Sequence, residues 1–104
     1  MTDTTPHDRK VRRIAAGYSG MDYDVRAAVP GYDRPKPIRG RIPDVVATKG
    51  KSTRIVEVET DQTFARHKDQ RDILRDYADG RSRTRFRWTK VLGGGVSQND
   101  RFSS

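Results

Sequence analysis

The sequence predicts an α/β fold whose elements follow the order helix, strand, strand, strand, helix, strand. Two segments carry apolar residues at helical spacing, and four others are rich in β-branched residues or alternate apolar with polar residues. Two of the predicted strands are separated by a short glycine-containing turn, which predicts a hairpin. A chain of 104 residues has room for one core. We therefore assign residues 1–92 to a single domain and residues 93–104, which open with three glycines, to a flexible tail.

The first helix is predicted from about residue 6 to 17. Thr5 is a suitable N-cap and Pro6 fits the first turn, and one face carries Val11, Ile14, Ala15 and Tyr18. Asp22 to Val29 then alternates apolar with polar residues, which predicts a half-buried strand. Residues 30–43 are rich in proline and glycine and are expected to form a long irregular loop. The cations of this loop either face solvent or contact phosphates; they are Arg34, Lys36, Arg39 and Arg41.

Acidic residues interrupt the two apolar strands of the predicted hairpin, Pro43–Ala47 and Arg54–Thr60. Side chains of a strand alternate between its faces, so Glu57 and Glu59 point the same way. Antiparallel pairing places Asp44 at the same end of the hairpin as these two glutamates. Three carboxylates then converge, and their mutual repulsion indicates a divalent-metal site with oxygen ligands. The alternative is an exposed strand with polar residues on its solvent face.

The second helix is predicted to begin at Thr60 or Asp61 and to reach about Ala78, with Gly80 as a left-handed stop. Its buried face carries Ile73, Leu74, Tyr77 and Ala78. Towards the N-terminal end of the helix the same face becomes polar, with Thr63, His67 and Gln70. Because this end lies near Glu59, these residues are either hydrogen-bonding partners within the fold or members of a site.

Residues Arg81 to Leu92 are predicted to form the last strand, with Phe86 and Trp88 in the core. The opposite face of this strand either faces solvent or binds phosphates, because it carries Arg81, Arg83, Arg85 and Arg87.

The composition narrows the classes of partner. A formal net charge of +8 favours a polyanion, with nucleic acid first and an anionic membrane surface second. The absence of cysteine excludes disulfides and thiolate metal sites, and two histidines are too few for an ordinary zinc site. No apolar run has the length of a signal peptide or a membrane span, so we expect a cytoplasmic protein, with nucleic acid and not a membrane as its partner.

Pro43-Asp44, twelve intervening residues and Glu57-Val58-Glu59 form a short acidic motif. With this motif, its order of elements and its basic charge, the chain resembles the PD-(D/E)XK nuclease superfamily, and especially its small prokaryotic members, which include Holliday-junction resolvases. The resemblance covers residues 6–92. It implies the restriction-endonuclease-like fold, an αβββαβ core in which helices flank a central mixed sheet.

The resemblance also implies the ligands of a metal ion, Mg²⁺ or Mn²⁺. Asp44 and Glu57 match the two acidic ligands of the superfamily, and the Val58 carbonyl matches a third. Glu59 stands where the superfamily usually has lysine, so Glu59 is either a general base or a further metal ligand.

The role of the usual lysine can also pass to another basic residue, and the second helix offers Lys68 or His67. The polar side chain of Gln70 on the same helix is expected to face the site.

Three functions are consistent with these patterns. The first is a metal-dependent DNA endonuclease, which as a homodimer could cut both strands. The second is a catalytically inactive protein of the same fold that binds nucleic acid or serves as an assembly module. The third is a small basic interaction protein whose carboxylates only face solvent.

Overall fold

The elements of the fold follow the predicted order. The structure, a computed structural model, describes residues 5–91 and the backbone of residues 101–103. Its helices and strands are α1 (Pro6–Gly20), β1 (Asp24–Ala27), β2 (Val45–Lys49), β3 (Ser52–Thr60), α2 (Lys68–Asp79), β4 (Thr84–Val91) and β5 (Arg101–Ser103). The predicted α/β class is therefore confirmed. β5 falls within the segment predicted to be a flexible tail, and the rest of that segment lies outside the described residues.

One five-stranded mixed sheet forms the centre of the fold, with its strands in the order β1-β2-β3-β4-β5. Neighbouring strands are antiparallel except β3 and β4, which run parallel. The hairpin between β2 and β3 turns at Gly50, whose φ of 60° favours glycine. Val45 pairs with Val56 in this hairpin, so Asp44 and Glu57 are brought to the same end of the two strands.

The two helices cover opposite faces of the sheet, because successive strand residues point to alternate sides. Val56 and Val58 of β3 join the apolar cluster under α1, which also contains Val11, Ile14, Ala15, Ala27, Val29, Val45 and Val91. Ile55 packs on the other side with Leu74, Ala78 and Phe86. Glu57 and Glu59 share the side of Ile55, so both point towards α2. Within the described residues, neither helix has the length and apolarity needed to cross a membrane.

The second helix differs most from its prediction. It begins at Lys68 rather than at Thr60 or Asp61, and residues 61–67 form turns instead. The cause is a pair of reciprocal hydrogen bonds: the Thr63 amide donates to Thr60 Oγ1 at 3.2 Å, and the Thr60 amide donates to Thr63 Oγ1 at 2.9 Å. These bonds satisfy the local backbone without a helix.

Smaller differences occur at the other ends. Gly80 ends α2 with a φ of −82°, so the predicted left-handed stop is wrong; the positive φ of 61° falls on Arg83 instead. β4 consequently begins at Thr84 and not at Arg81, and β1 is confined to Asp24–Ala27. α1 extends to Gly20, with Thr5 as the N-cap that was predicted.

Leu74 provides a test of the packing between α2 and the sheet. Its side chain is fully buried, so Leu74→Ala should lower the free energy of unfolding by about 2–5 kcal/mol. Met21→Ala is the control, because Met21 is 53% exposed and its truncation should change that energy by less than about 0.5 kcal/mol. Urea unfolding measures both, and equal losses would contradict the assignment of the core.

Candidate metal centre

A cleft of about 870 Å³ lies where the end of β3 meets the beginnings of both helices. The first turn of α1 forms one wall, and the turns at 61–67 with the first turn of α2 form the other. Asp44, Glu57 and Val58 line it between these walls. Asp44 and Glu57 therefore share one cavity with the polar residues Thr63, His67 and Gln70, whereas Glu59 is buried and is not part of the cleft lining.

Hydrogen bonds from backbone amides to carboxylates connect Asp44 with the strand segment at Glu57. The Asp44 amide donates to Glu57 Oε2 at 2.9 Å, and the Val58 amide donates to Asp44 Oδ2 at 2.8 Å. Gln70 of α2 donates from Nε2 to Glu57 Oε1 at 2.7 Å. The structure thus brings together Asp44, Glu57 and Gln70, three of the residues that the sequence assigned to a site.

Glu57 carries the most perturbed carboxylate of this group. Its side chain is only 2% exposed. Burial, reinforced by the negative charge of Asp44, raises the pKa of Glu57 to about 8, although the Asp44 amide and Gln70 oppose the shift. The interpretation of this strand as a solvent-exposed polar face is therefore wrong, because Glu59 is likewise fully buried.

Glu59 has its own set of partners, and each of its oxygens is engaged. Oε1 accepts a hydrogen bond from Thr63 Oγ1 at 2.7 Å and lies 3.1 Å from His67 Nδ1. Oε2 accepts from Arg71 Nη1 at 3.1 Å. Arg71 is only 6% exposed, and its guanidinium lies 4.0 Å from the centre of the Phe64 ring and also donates to the Phe64 carbonyl. The negative charge of Glu59 is thus neutralised within the protein.

Two histidines flank the acidic residues, one on each wall of the cleft. His67 stands at the N-cap of α2, and one donor atom each of Glu57, Glu59 and His67 lies within 4.8 Å of the others. His7 comes from the first turn of α1, with Nε2 3.5 Å from Asp44 Oδ2 and Nδ1 3.0 Å from Asp8 Oδ1. The hydrogen bond to Asp44 raises the pKa of His7 to about 9 against the opposing effect of burial.

His7 and Arg71 were both missed by the sequence prediction. Arg71 had a detectable signal, because it lies three residues before Leu74 on the buried face of α2 and could be inferred to need a buried acid. His7 had no such signal, since nothing local shows where the start of α1 meets the hairpin.

Lys68 is not part of the cleft lining in the part of the chain that the structure describes. Its ammonium lies 2.8 Å from Asp72 Oδ2 on the exposed side of α2, and its side chain is 71% exposed. Of the two basic residues that the sequence offered in place of the usual lysine, only His67 lines the cleft.

The predicted nucleic-acid contacts are spread over the surface. Arg81, Arg83 and Arg85 line a small cavity at the C-terminal end of α2. This end lies nine residues beyond Gln70, the last residue of α2 in the cleft lining, which is about 14 Å along the helix. Arg85 and Arg87 line another cavity beside Tyr18. In the described residues, the cleft lining includes none of the arginines of this segment.

The cations of the loop do not converge on the cleft. Arg41 is exposed and precedes Ile42, which lines the cleft. Arg39 instead contacts Asp76 at 2.7 Å on α2, and Lys36 lines a separate cavity of about 360 Å³. Arg34 is exposed. Arg41 is thus the loop cation that the chain places next to the candidate site.

No family model matches this chain, and no curated protein matches it significantly. Function must therefore be inferred from the geometry of the cleft and from the pattern of the sequence.

The buried ion pair predicts a large effect on stability. Arg71→Ala leaves Glu59 buried without its cation and should lower the free energy of unfolding by about 3–5 kcal/mol. Arg39→Ala breaks an exposed ion pair with Asp76 and should cost less than about 1 kcal/mol. Chemical denaturation compares the two variants; losses of the same size would show that the Arg71 pair is not the interaction inferred here.

The pKa of Glu57 predicts a pH dependence of stability in metal-free protein. Because this pKa rises from 4.5 to about 8, the folded state binds more protons than the unfolded chain in that range, and stability falls as the pH rises through it. Glu57→Gln should remove this component. Its free energy of unfolding in a chelator should therefore decline less steeply than that of the wild type.

The informative window runs from about pH 5 to 6.5, because the raised pKa of His7 contributes its own slope only above the ordinary value of 6.5. Identical slopes for wild type and Glu57→Gln in this window would contradict the assigned protonation of Glu57.

Proposed function

We propose that this protein is a divalent-metal-dependent endodeoxyribonuclease of the PD-(D/E)XK superfamily, with a restriction-endonuclease-like fold. The observation that carries the proposal is the pairing of Asp44 with a deeply buried Glu57 in the cleft. The order of elements from α1 to β4 and the mixed sheet support the same assignment.

Asp44 and Glu57 suit a hard divalent ion, Mg²⁺ or Mn²⁺, because two neighbouring carboxylates repel each other when no cation lies between them. The like charge of Asp44 contributes to the raised pKa of Glu57, and a cation between the two carboxylates would relieve that repulsion. The Val58 carbonyl is the third ligand that the resemblance implies. When bound, such an ion supplies a water of lowered pKa and offsets charge on the phosphoryl oxygens.

Glu59 fits the role of a metal ligand less well than its position in the sequence implied. Its oxygens already contact Thr63, His67 and Arg71, and Arg71 supplies the positive charge that an ion would otherwise bring. We therefore assign the ion to Asp44 and Glu57, and Glu59 to the protein's own support of the site.

DNA is the substrate class that the charge of the protein favours. A net charge of +8 offsets the repulsion between phosphates and an acidic cleft. Arg41, which adjoins Ile42 of the cleft lining, is a candidate for a backbone contact, and the arginines between residues 81 and 87 would contact a more distant part of the duplex. Binding of this kind is independent of sequence and weakens steeply with salt. A homodimer would supply two sites for two strands.

A second function keeps the fold and the DNA contacts but not the catalysis. It is favoured by Glu59, which occupies the position of the usual lysine and is tied to Arg71. This protein would be a nucleic-acid-binding or assembly module, and it would bind DNA without cutting it.

Metal titration separates these two functions. Mg²⁺ or Mn²⁺ should raise the melting temperature of the wild type and support nicking of plasmid or branched DNA. Glu57→Ala should abolish both effects. Asp76→Asn is the control, because it removes an acid that is 76% exposed and lies outside the cleft, and it should preserve both. Salt-sensitive DNA binding by a wild type that cuts with neither ion would instead establish the binding module.

A further inference from the structure

We propose that Glu59 and His67 form a carboxylate–imidazole pair in which His67 Nε2 is the general base of the reaction. This inference rests on the proposed function, because the base would act on a water in the same cleft. It assigns His67 a catalytic role and Glu59 a positioning role.

The contact between the two side chains selects one tautomer of the histidine. His67 Nδ1 lies 3.1 Å from Glu59 Oε1, and a carboxylate accepts hydrogen bonds but cannot donate them. In the neutral imidazole Nδ1 therefore carries the proton, and Nε2 is left with its lone pair. His67 Nε2 makes no hydrogen bond to any residue of the described ranges, and the ring lines the cleft with its side chain 43% exposed.

Glu59 is held firmly enough to fix the direction of that ring. Thr63 donates to Oε1 at 2.7 Å, and Arg71 donates to Oε2 at 3.1 Å. The same Arg71 binds the Phe64 carbonyl at 2.6 Å, so it also anchors the turns that lead to His67. A lysine at position 59 would place its ammonium beside the Arg71 guanidinium. An acid at this position is what the surrounding residues require.

His67 lines the same cleft as Glu57, one of the two proposed metal ligands. A ring nitrogen of His67 and a carboxylate oxygen of Glu57 are within 4.8 Å of each other. One water spans such a gap with two contacts of about 2.6–3.2 Å each. The attacking water is placed in the cleft that Glu57 and His67 both line, in contact with Nε2.

The reaction balances with this one base. Nε2 takes a proton from the water as the water oxygen bonds to phosphorus. The P–O bond to the leaving strand breaks, its electron pair stays on that oxygen, and the oxygen takes a proton from solvent. The imidazolium then returns its proton to solvent.

The test replaces the base but keeps its hydrogen bond to Glu59. The side-chain amide of His67→Asn can still donate to Glu59 but has no counterpart of Nε2. With Mn²⁺ and plasmid DNA, His67→Asn should lower kcat by about 10²–10⁴-fold. KM and the Mn²⁺ affinity measured by calorimetry should stay within about twofold, and added imidazole should restore part of the rate. Asp69→Asn, an exposed neighbour on α2, should keep the wild-type kcat.

Nitrogen-15 NMR of the wild type provides a second measurement that needs no variant, and it should show His67 with the proton on Nδ1. Three results would overturn the pair: an unchanged kcat in His67→Asn, a loss of Mn²⁺ affinity as large as in Glu57→Ala, or a proton on Nε2 in neutral His67. The second of these would make His67 a ligand. A wild type that cleaves with neither ion overturns the proposed function and the base with it, whereas an active His67→Asn overturns this inference alone.

Discussion

Two glutamates buried on one strand determine how the protein is built around its cleft. Glu57 and Glu59 share a face of β3 and are almost inaccessible to solvent, so each charge has to be offset or protonated. The two carboxylates have different partners. Glu59 receives a guanidinium from α2, whereas Glu57 receives only neutral donors and the like charge of Asp44. Under the proposed function, this difference separates a carboxylate that supports the site from one that binds an external cation.

The segment before α2 and the first turn of that helix form the local structure around the cleft. The Thr60–Thr63 turn delays the start of the helix, and Arg71 reaches Glu59 from the first helical turn. The turn brings His67 to the cleft, and Gln70, one turn further along, reaches Glu57. Stability and the candidate chemistry are therefore coupled through one short segment. A substitution that breaks the contacts of Arg71 with Glu59 and the Phe64 carbonyl is expected to displace His67 as well.

Local patterns in the sequence predicted the parts of the fold that depend on neighbouring residues. The hairpin, the faces of its strands and the convergence of Asp44 with Glu57 all arise from side-chain alternation and a short turn. The predicted start of α2 was wrong because Thr60 and Thr63 form hydrogen bonds with each other and do not cap a helix. The approach of His7 to Asp44 depends on how α1 crosses the sheet. The burial of Arg71 depends on its ion pair with Glu59. Both arise from contacts between residues distant in the sequence.

The proposed function assigns Asp44 and Glu57 to a divalent ion and leaves Glu59 paired with Arg71. Anomalous diffraction from crystals grown with Mn²⁺ would observe this division of the carboxylates without any variant. We expect one manganese peak with carboxylate oxygens of Asp44 and Glu57 at about 2.0–2.6 Å and with the Glu59–Arg71 contact intact. A peak shared by Glu57, Glu59 and His67, or no peak in the cleft at a concentration of Mn²⁺ that supports cleavage, would contradict the assignment.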